Sequence, residues 1–168
     1  MLRFARYRFA VLLVVGTYAV STAQVHSFQY YTMKEGLLAD GINALFQDSR
    51  GYLWIGTAEG VSVYDGHGFT SYRARNGLAT NFVTCITESR RVPGTIRIGT
   101  SAGGVSMFVN GQFTTLLVDT AAKSKTISAL LEDRSGTLWC ATEGGVYTVR
   151  NGRTTKVTKM YRESTRWH

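Results

Sequence analysis

Apolar positions divide the chain into two unlike parts. Phe9 to Val20 is one unbroken apolar run, FAVLLVVGTYAV. After Ala23 no helical period occurs, and apolar residues come instead in short blocks closed by Gly, Asn or Asp. Ile42 to Gln47 is a short, largely apolar segment ending at the turn Asp48-Ser49-Arg50-Gly51. Tyr52 to Thr57 is nearly all apolar or β-branched, as expected of an inner strand buried on both faces. Val61 to Tyr64 alternates, Asp65-Gly66 signals a hairpin, and Phe69 to Tyr72 supplies a fourth strand. The pattern predicts an all-β chain of short strands.

The blocks repeat. DSRGYLWIGTAEGVSVYDG at 48–66 has the same order as DRSGTLWCATEGGVYTVRNG at 133–152. Ile55-Gly56-Thr57, Ile98-Gly99-Thr100 and Cys140-Ala141-Thr142 mark three units, and Gly-Leu opens the first two at Gly36 and Gly77. A period of roughly 42 residues is the length of four short strands with their turns, one propeller blade. The expected architecture is therefore a partial β-propeller over 24–168. Its repeats lie at about 36–72, 77–116 and 124–157, with antiparallel four-stranded blades at Ile42–Tyr72, Phe82–Leu116 and Ile127–Val157.

The repetition decides what the chemistry-bearing residues mean. A reaction site is usually needed once, whereas a pattern that recurs is architecture. Asp48 and Asp133 read as turn residues whose carboxylates accept from nearby backbone, with Gly51 and Gly136 supplying positive φ. Trp54 and Trp139 read as packing residues between blades, both largely buried. Thr57, Thr100 and Thr142 end the second strand and bond locally. Gly56, Gly60, Asp65, Gly66, Gly99, Gly111, Gly145 and Gly152 complete the repeat signature, with Asn110-Gly111 and Asn151-Gly152 at the same hairpin as Asp65-Gly66. Glu59 and Glu143 hold nearly matching turn positions and also belong to the repeat.

Unit two departs from this pattern with ESRRVPGTIRIGT. In the sequence alignment Glu88 replaces the Asp, three residues are added to the turn, and Arg97 stands where the Trp should be. Arg97 could pair with an acid at a gap between blades, but an Arg stem covering apolar surface is the favoured reading.

Charge adds little to the body of the chain. There are 19 Lys and Arg against 11 Asp and Glu, a net charge of +8. The excess lies in the first eight residues and in the tail from Arg150, while Val25 to Val149 is balanced. A nucleic-acid surface needs a basic patch on a folded face, so that reading is set aside. The N-terminal charge belongs with the apolar run: MLRFARYR, then Phe9–Val20, then Ser21-Thr22-Ala23, is the order of a cleaved signal peptide over 1–23, with cleavage before Gln24. An uncleaved anchor is disfavoured because a spanning helix wants about 20 apolar residues. The chain is thus expected to be exported, touching a membrane only through this segment. Cys85 aligns with Ala44 and Ala129, and Cys140 with Ile55 and Ile98, which favours two small core side chains over a disulfide. No cofactor or metal is expected.

The string D-x-x-G-x-L-W-I-G-T, followed by Gly-Val, a Tyr, Asp-Gly and Phe, resembles the two-component regulator propeller repeat. The resemblance covers roughly Phe28 to Val157. It implies a periplasmic sensor propeller of the kind found in hybrid histidine kinases, often recognising oligosaccharides. The kinase activity does not carry over: the histidines are His26, His67 and His168, and no glycine-rich ATP-binding box, receiver domain or helix-turn-helix pattern accompanies them. No constellation of acids and bases indicates catalysis, so no catalytic residue is expected. The other reading kept open is a structural or protein-interaction propeller without a signalling role. Closed propellers use roughly four to eight blades and three are visible, so the chain is expected to be a fragment, its partners further blades or a kinase.

Overall fold

The computed structural model describes residues 29–118 and 125–158. The segment 1–23 expected to be a signal peptide and the end of the basic tail lie outside the described residues. Among the described residues twelve strands form three separate sheets. The first holds β1 (Ile42–Gln47), β2 (Leu53–Thr57), β3 (Gly60–Tyr64) and β4 (Phe69–Tyr72). The second holds β5 (Val83–Glu88), β6 (Ile96–Thr100), β7 (Gly104–Val109) and β8 (Gln112–Leu116). The third holds β9 (Ile127–Glu132), β10 (Leu138–Thr142), β11 (Gly145–Arg150) and β12 (Arg153–Lys156). Each is an antiparallel meander in chain order, and β1, β5 and β9 lie side by side as the inner strands of successive propeller blades.

The core lies between blades. Trp54, Val61 and Val63 of blade one pack with Val83, Ile96, Ile98 and Phe108 of blade two. Val105 of blade two packs with Ile127, Leu138, Cys140 and Val149 of blade three. A four-stranded sheet has two faces and no interior, so each blade can bury its apolar face only against a neighbour. Gly56 shows how close the approach is: a Cβ there would lie 2.4 Å from Val83 Cγ1. At Gly99 the same added carbon would meet Cys85 Sγ at 2.4 Å and Ile127 Cγ2 at 2.8 Å.

The segment before each of the first two blades folds back on its own blade. A single 3-10 turn ends at Gly36, which packs on Phe69, and another ends at Gly77, which packs on Phe113. Leu38 N–H then donates to Ser62 Oγ (3.3 Å), and Ala79 N–H to Ser106 Oγ (2.8 Å), so the two fully buried serines anchor the linkers. Tyr147 holds that place in blade three, where no Gly-Leu opening precedes the first strand.

The hairpins separate into two kinds. Asn110 and Asn151, with φ of 49° and 51°, precede Gly111 and Gly152 in two-residue turns with both residues at positive φ, the type I′ geometry. Asp65-Gly66 differs from the two-residue hairpin its sequence suggests. The loop spans Asp65 to Gly68, and the Asp65 carboxylate accepts from His67 N (2.8 Å) and Gly68 N (2.9 Å). Asp, unlike Asn in blades two and three, here closes an Asx turn.

Candidate functional site

The turn joining the first two strands of each blade is the most elaborate polar structure in the described residues. In blade one the Asp48 carboxylate is its hub. Oδ1 accepts from Arg50 N (3.0 Å) and Tyr52 N (2.9 Å), and Oδ2 accepts from Trp54 Nε1 (3.1 Å) and Arg50 Nη2 (2.9 Å). Asp133 repeats this with Ser135 N (2.9 Å), Thr137 N (2.9 Å) and Trp139 Nε1 (2.9 Å). Burial alone would raise the Asp48 pKa, but the donors of Trp54, Arg50 and the backbone outweigh it and hold the carboxyl below its ordinary range. Trp139 is the largest influence lowering Asp133 further. Reading Asp as a turn residue and Trp as a packing residue missed that they are one unit. The signal was present as the fixed six-residue separation of Asp48 from Trp54 and Asp133 from Trp139.

Blade two fills the same corner differently. Ser89 N–H pairs with Thr95 O as Asp48 N–H pairs with Tyr52 O, so Ser89, and not Glu88, stands at the aspartate position. Glu88 instead matches Gln47 and Glu132, each the last residue of its first strand. Ser89 and Arg97 are eight residues apart, so the turn is longer by two residues, not three. Val92-Pro93-Gly94-Thr95 closes a nested turn, with Thr95 N on Val92 O (3.1 Å) and Gly94 at φ 87°, the type II form that wants Pro then Gly. Arg97 is also more than a cover for apolar surface. Its guanidinium donates to Ser89 Oγ (3.3 Å) and pairs with Glu132 of blade three at 3.0 Å. Both side chains are largely buried, and Glu132 also accepts from Arg90 N (2.6 Å). Burial works to raise the Glu132 pKa, and Arg97 and Arg90 N–H together bring it below the ordinary value.

Such carboxylates join blades in series. Glu88 of blade two accepts from Ser49 N and Ser49 Oγ of blade one, both at 2.8 Å, just as Glu132 of blade three holds Arg90 of blade two. A second tie runs near the axis. Each inner strand has an irregularity near its start, where one residue is left out of the ladder. In blade one that residue is Asn43, whose Nδ2 donates to Val83 O (3.0 Å); in blade two it is Thr84, whose hydroxyl donates to Ile127 O. A bulge re-aims a side chain out of the pleat, here toward the next blade.

The remaining signature residues are local. Thr57, Thr100 and Thr142 hydroxyls donate to Gly60 O (3.1 Å), Gly104 O (2.9 Å) and Gly145 O (2.8 Å), closing the second hairpin of each blade. Gly51, Gly60, Gly66, Gly136 and Gly145 lie at positive φ in turns. Trp54 is 1% exposed, with Phe108 edge-on at 5.2 Å, whereas Trp139 is only half-buried, because no described sheet covers the outer face of blade three. Cys140 is buried and its thiol is pushed up to about 12, chiefly by burial; Cys85 packs against the same cluster, and both are free thiols.

Between the turn ends of blades one and two lies a cleft of about 410 Å³, walled by Arg50, Tyr52, Trp54, Asp65, Tyr72 and Asn110 among others. A smaller hollow of about 320 Å³ adjoins it and shares Arg50, Phe108, Asn110 and Gly111. The Arg50 guanidinium sits 5.0 Å over the Tyr52 ring. The cleft thus combines aromatic faces with a guanidinium, a carboxylate and a carboxamide. Among the described residues no group of three or more His, Cys, Asp or Glu side chains is placed to hold a metal, and no helix is long and apolar enough to cross a membrane.

Comparison with known proteins places these features. The model of the two component regulator propeller family matches residues 36–59 and 122–144, stretches that contain the Asp–Trp corners of blades one and three. Among solved structures, an extracellular domain from B. thetaiotaomicron described as belonging to a hybrid two component system, BT3049, is similar with TM-score 0.65 and 18% identity over 77% of this chain and 20% of that one. The extracellular domain of BT4673 from the same organism gives TM-score 0.59 and 24% identity over 68% of this chain and 16% of that one. A catalytically inactive virginiamycin B lyase from Staphylococcus aureus gives TM-score 0.53 and 18% identity, over 71% of this chain and 42% of that one. These likenesses concern the fold, which extracellular domains of two component systems and a lyase share, and the chain spans about a fifth of the length of the extracellular domains. No curated protein matches the chain. The Asp–Trp corner geometry thus recurs in both stretches that are similar to the two component regulator propeller model, and these stretches lie in blades one and three of a partial β-propeller.

Proposed function

We propose that the chain is an exported, ligand-binding sensor propeller of two-component signalling that performs no catalysis itself. The observation that carries this reading is the family match at the two Asp–Trp corners. The likeness to extracellular domains of two-component systems supports export. The use of the acids supports a non-catalytic role: Asp48, Glu88, Asp133 and Glu132 each accept several hydrogen bonds that close turns or join blades. A general acid or base needs a carboxyl free to exchange a proton with substrate.

The cleft between blades one and two is the ligand site in this reading. Tyr52 and Tyr72 offer ring faces, while Arg50, Asp65 and Asn110 offer donors and acceptors, the combination that suits a hydroxyl-rich ring compound such as an oligosaccharide. Titration calorimetry with a panel of oligosaccharides should give saturable heat with at least one, lost in Tyr52→Ala. Exported protein should begin at or near Gln24. Binding by none of the panel, with the protein folded, would favour the structural or interaction propeller, and ATP-dependent autophosphorylation of the purified chain would remove the non-catalytic reading.

A further inference from the structure

What recurs in all three blades serves the fold, so a feature that occurs once is where recognition is to be sought. The first turn of blade two is such a feature. Ser89 and Arg97 are eight residues apart, where Asp48 and Trp54, or Asp133 and Trp139, are six apart. The added length is not packed away. It carries Val92 and Pro93 out to the surface, and Val92 is 58% exposed. The short turns of blades one and three, Asp48–Gly51 and Asp133–Gly136, have nothing to match it.

This exposed pair walls a hollow. Val92, Pro93 and Gly94 stand on one side of the space of about 320 Å³, and Val109, 40% exposed, lines it too. Hydrogen bonds fix the wall: Val92 N–H donates to Ser89 Oγ (3.2 Å), Thr95 N–H to Val92 O (3.1 Å) and Gly94 N–H to the Glu88 carboxylate (2.6 Å). A wall held in this way is formed before any ligand arrives, which lowers the cost of binding. The hollow adjoins the cleft of about 410 Å³ that holds Tyr52 and Tyr72. Both spaces lie between blades one and two and owe nothing to the outer faces of blades one and three.

Arg50 stands at the junction, lining both spaces. Its Nε and Nη2 are held by Asp48 Oδ2 (3.3 and 2.9 Å), and the guanidinium lies 5.0 Å over the Tyr52 ring. Among the described residues its Nη1 has no hydrogen-bond partner. Asp48 matches its charge, and the carboxylate of Asp65 lines the larger cleft, so the two spaces offer donors without surplus positive charge. We infer that the two hollows are successive subsites for one linear, uncharged oligosaccharide of at least two rings, with Arg50 at the junction and the Val92–Pro93 wall setting the length required. This inference rests on the reading of the larger cleft as the ligand site. The first ring lies against the tyrosines, and the apolar face of the second lies against Val92, Pro93 and Val109.

The test is titration calorimetry of the full chain with gluco- and manno-oligosaccharides of one to four rings, and with oligogalacturonides of the same lengths. Affinity for a neutral series should rise about tenfold or more from one ring to two, and no acidic series should bind more tightly. In Val92→Ser and, separately, Val109→Ser, each at an exposed position and each checked for an unchanged far-ultraviolet spectrum, the ratio of two-ring to one-ring affinity should fall toward one. Tyr52→Ala should instead abolish binding of every member. A ratio near one in the wild type, tighter binding of the acidic series, or a ratio that survives both changes overturns the two-subsite inference and leaves the larger cleft as a ligand site. Binding of no member by the folded wild type removes the reading of the cleft as a ligand site, and this inference with it.

Discussion

The corners of blades one and two occupy the same place in the fold and solve the same problem with different chemistry. In blade one an indole N–H reaches an aspartate of its own turn, and that side-chain pair stays within the blade. In blade two a guanidinium reaches the serine at that position and extends to Glu132 of the next blade. The constant requirement is a long side chain that brings an N–H donor to the turn from the second strand. Trp meets it with a ring whose flat body fills the blade interface. Arg meets it with a charge, and a buried charge needs a partner, which blade three supplies. The Asp–Trp corner thus meets the next blade through apolar packing, while the Ser–Arg corner meets it through a buried charge pair.

The largest effect expected from this comparison is at Trp54. Trp54→Ala removes a fully buried ring and the Asp48 donor, and should cost about 3–5 kcal/mol in equilibrium urea unfolding. Trp139→Ala should cost clearly less, because its ring is less completely buried than that of Trp54. Equal losses would show that the hydrogen bond, and not burial against Phe108, carries the corner.

Next comes the Arg97–Glu132 pair. Glu132→Ala strands a largely buried guanidinium, and removing one partner of such a pair costs about 3 kcal/mol or somewhat more. Arg97→Trp alone should also destabilise, since Ser89 cannot serve the indole as Asp48 serves Trp54 and Glu132 loses its cation. Arg97→Trp with Ser89→Asp should recover part of the loss, and a double-mutant cycle measures the coupling. No coupling would mean that the two extra residues in the turn have changed the corner too far for the comparison to hold.

How much of this was legible beforehand varies with the range of the interaction. The strands were legible because alternation and turn residues are local, and the blades because the repeat places them. Blade two misled the alignment: without the pairing of Ser89 N–H with Thr95 O, the acid Glu88 is the natural match for Asp48. The ties between blades were out of reach for a related reason. Asn43, Glu88 and Glu132 act across separations of about forty residues, and no local periodicity distinguishes a strand-end glutamate that faces solvent from one that accepts a neighbour's backbone. Ser62 lies in the alternating stretch Val61 to Tyr64, yet it and Ser106 are buried beneath linkers whose N–H groups they accept. The Gly-Leu openings marked those linkers, but not where they dock.

A smaller effect, and the one that separates the two corners most cleanly, is the response to acid. Asp48 and Glu132 both have folded-state pKa values below their ordinary 3.8 and 4.5. A group whose pKa is depressed by folding contributes stability that is complete above its unfolded pKa and is lost as pH falls through the folded one. Stability should therefore be level above about pH 5 and decline below about pH 4. Asp48→Asn and Glu132→Gln should each lower stability at neutral pH and flatten the decline. The corners differ in what opens. Protonating Asp48 loosens a turn inside one blade, so Arg50 and Tyr52 amides should lose exchange protection first. Protonating Glu132 releases Arg97 and the Arg90 N–H together, so protection should fall on both sides of the joint between blades two and three. Amide exchange followed from pH 6 to about pH 3 distinguishes the cases. If Arg90 keeps its protection while Arg50 loses it, Glu132 is not the fastening that its place between the blades implies.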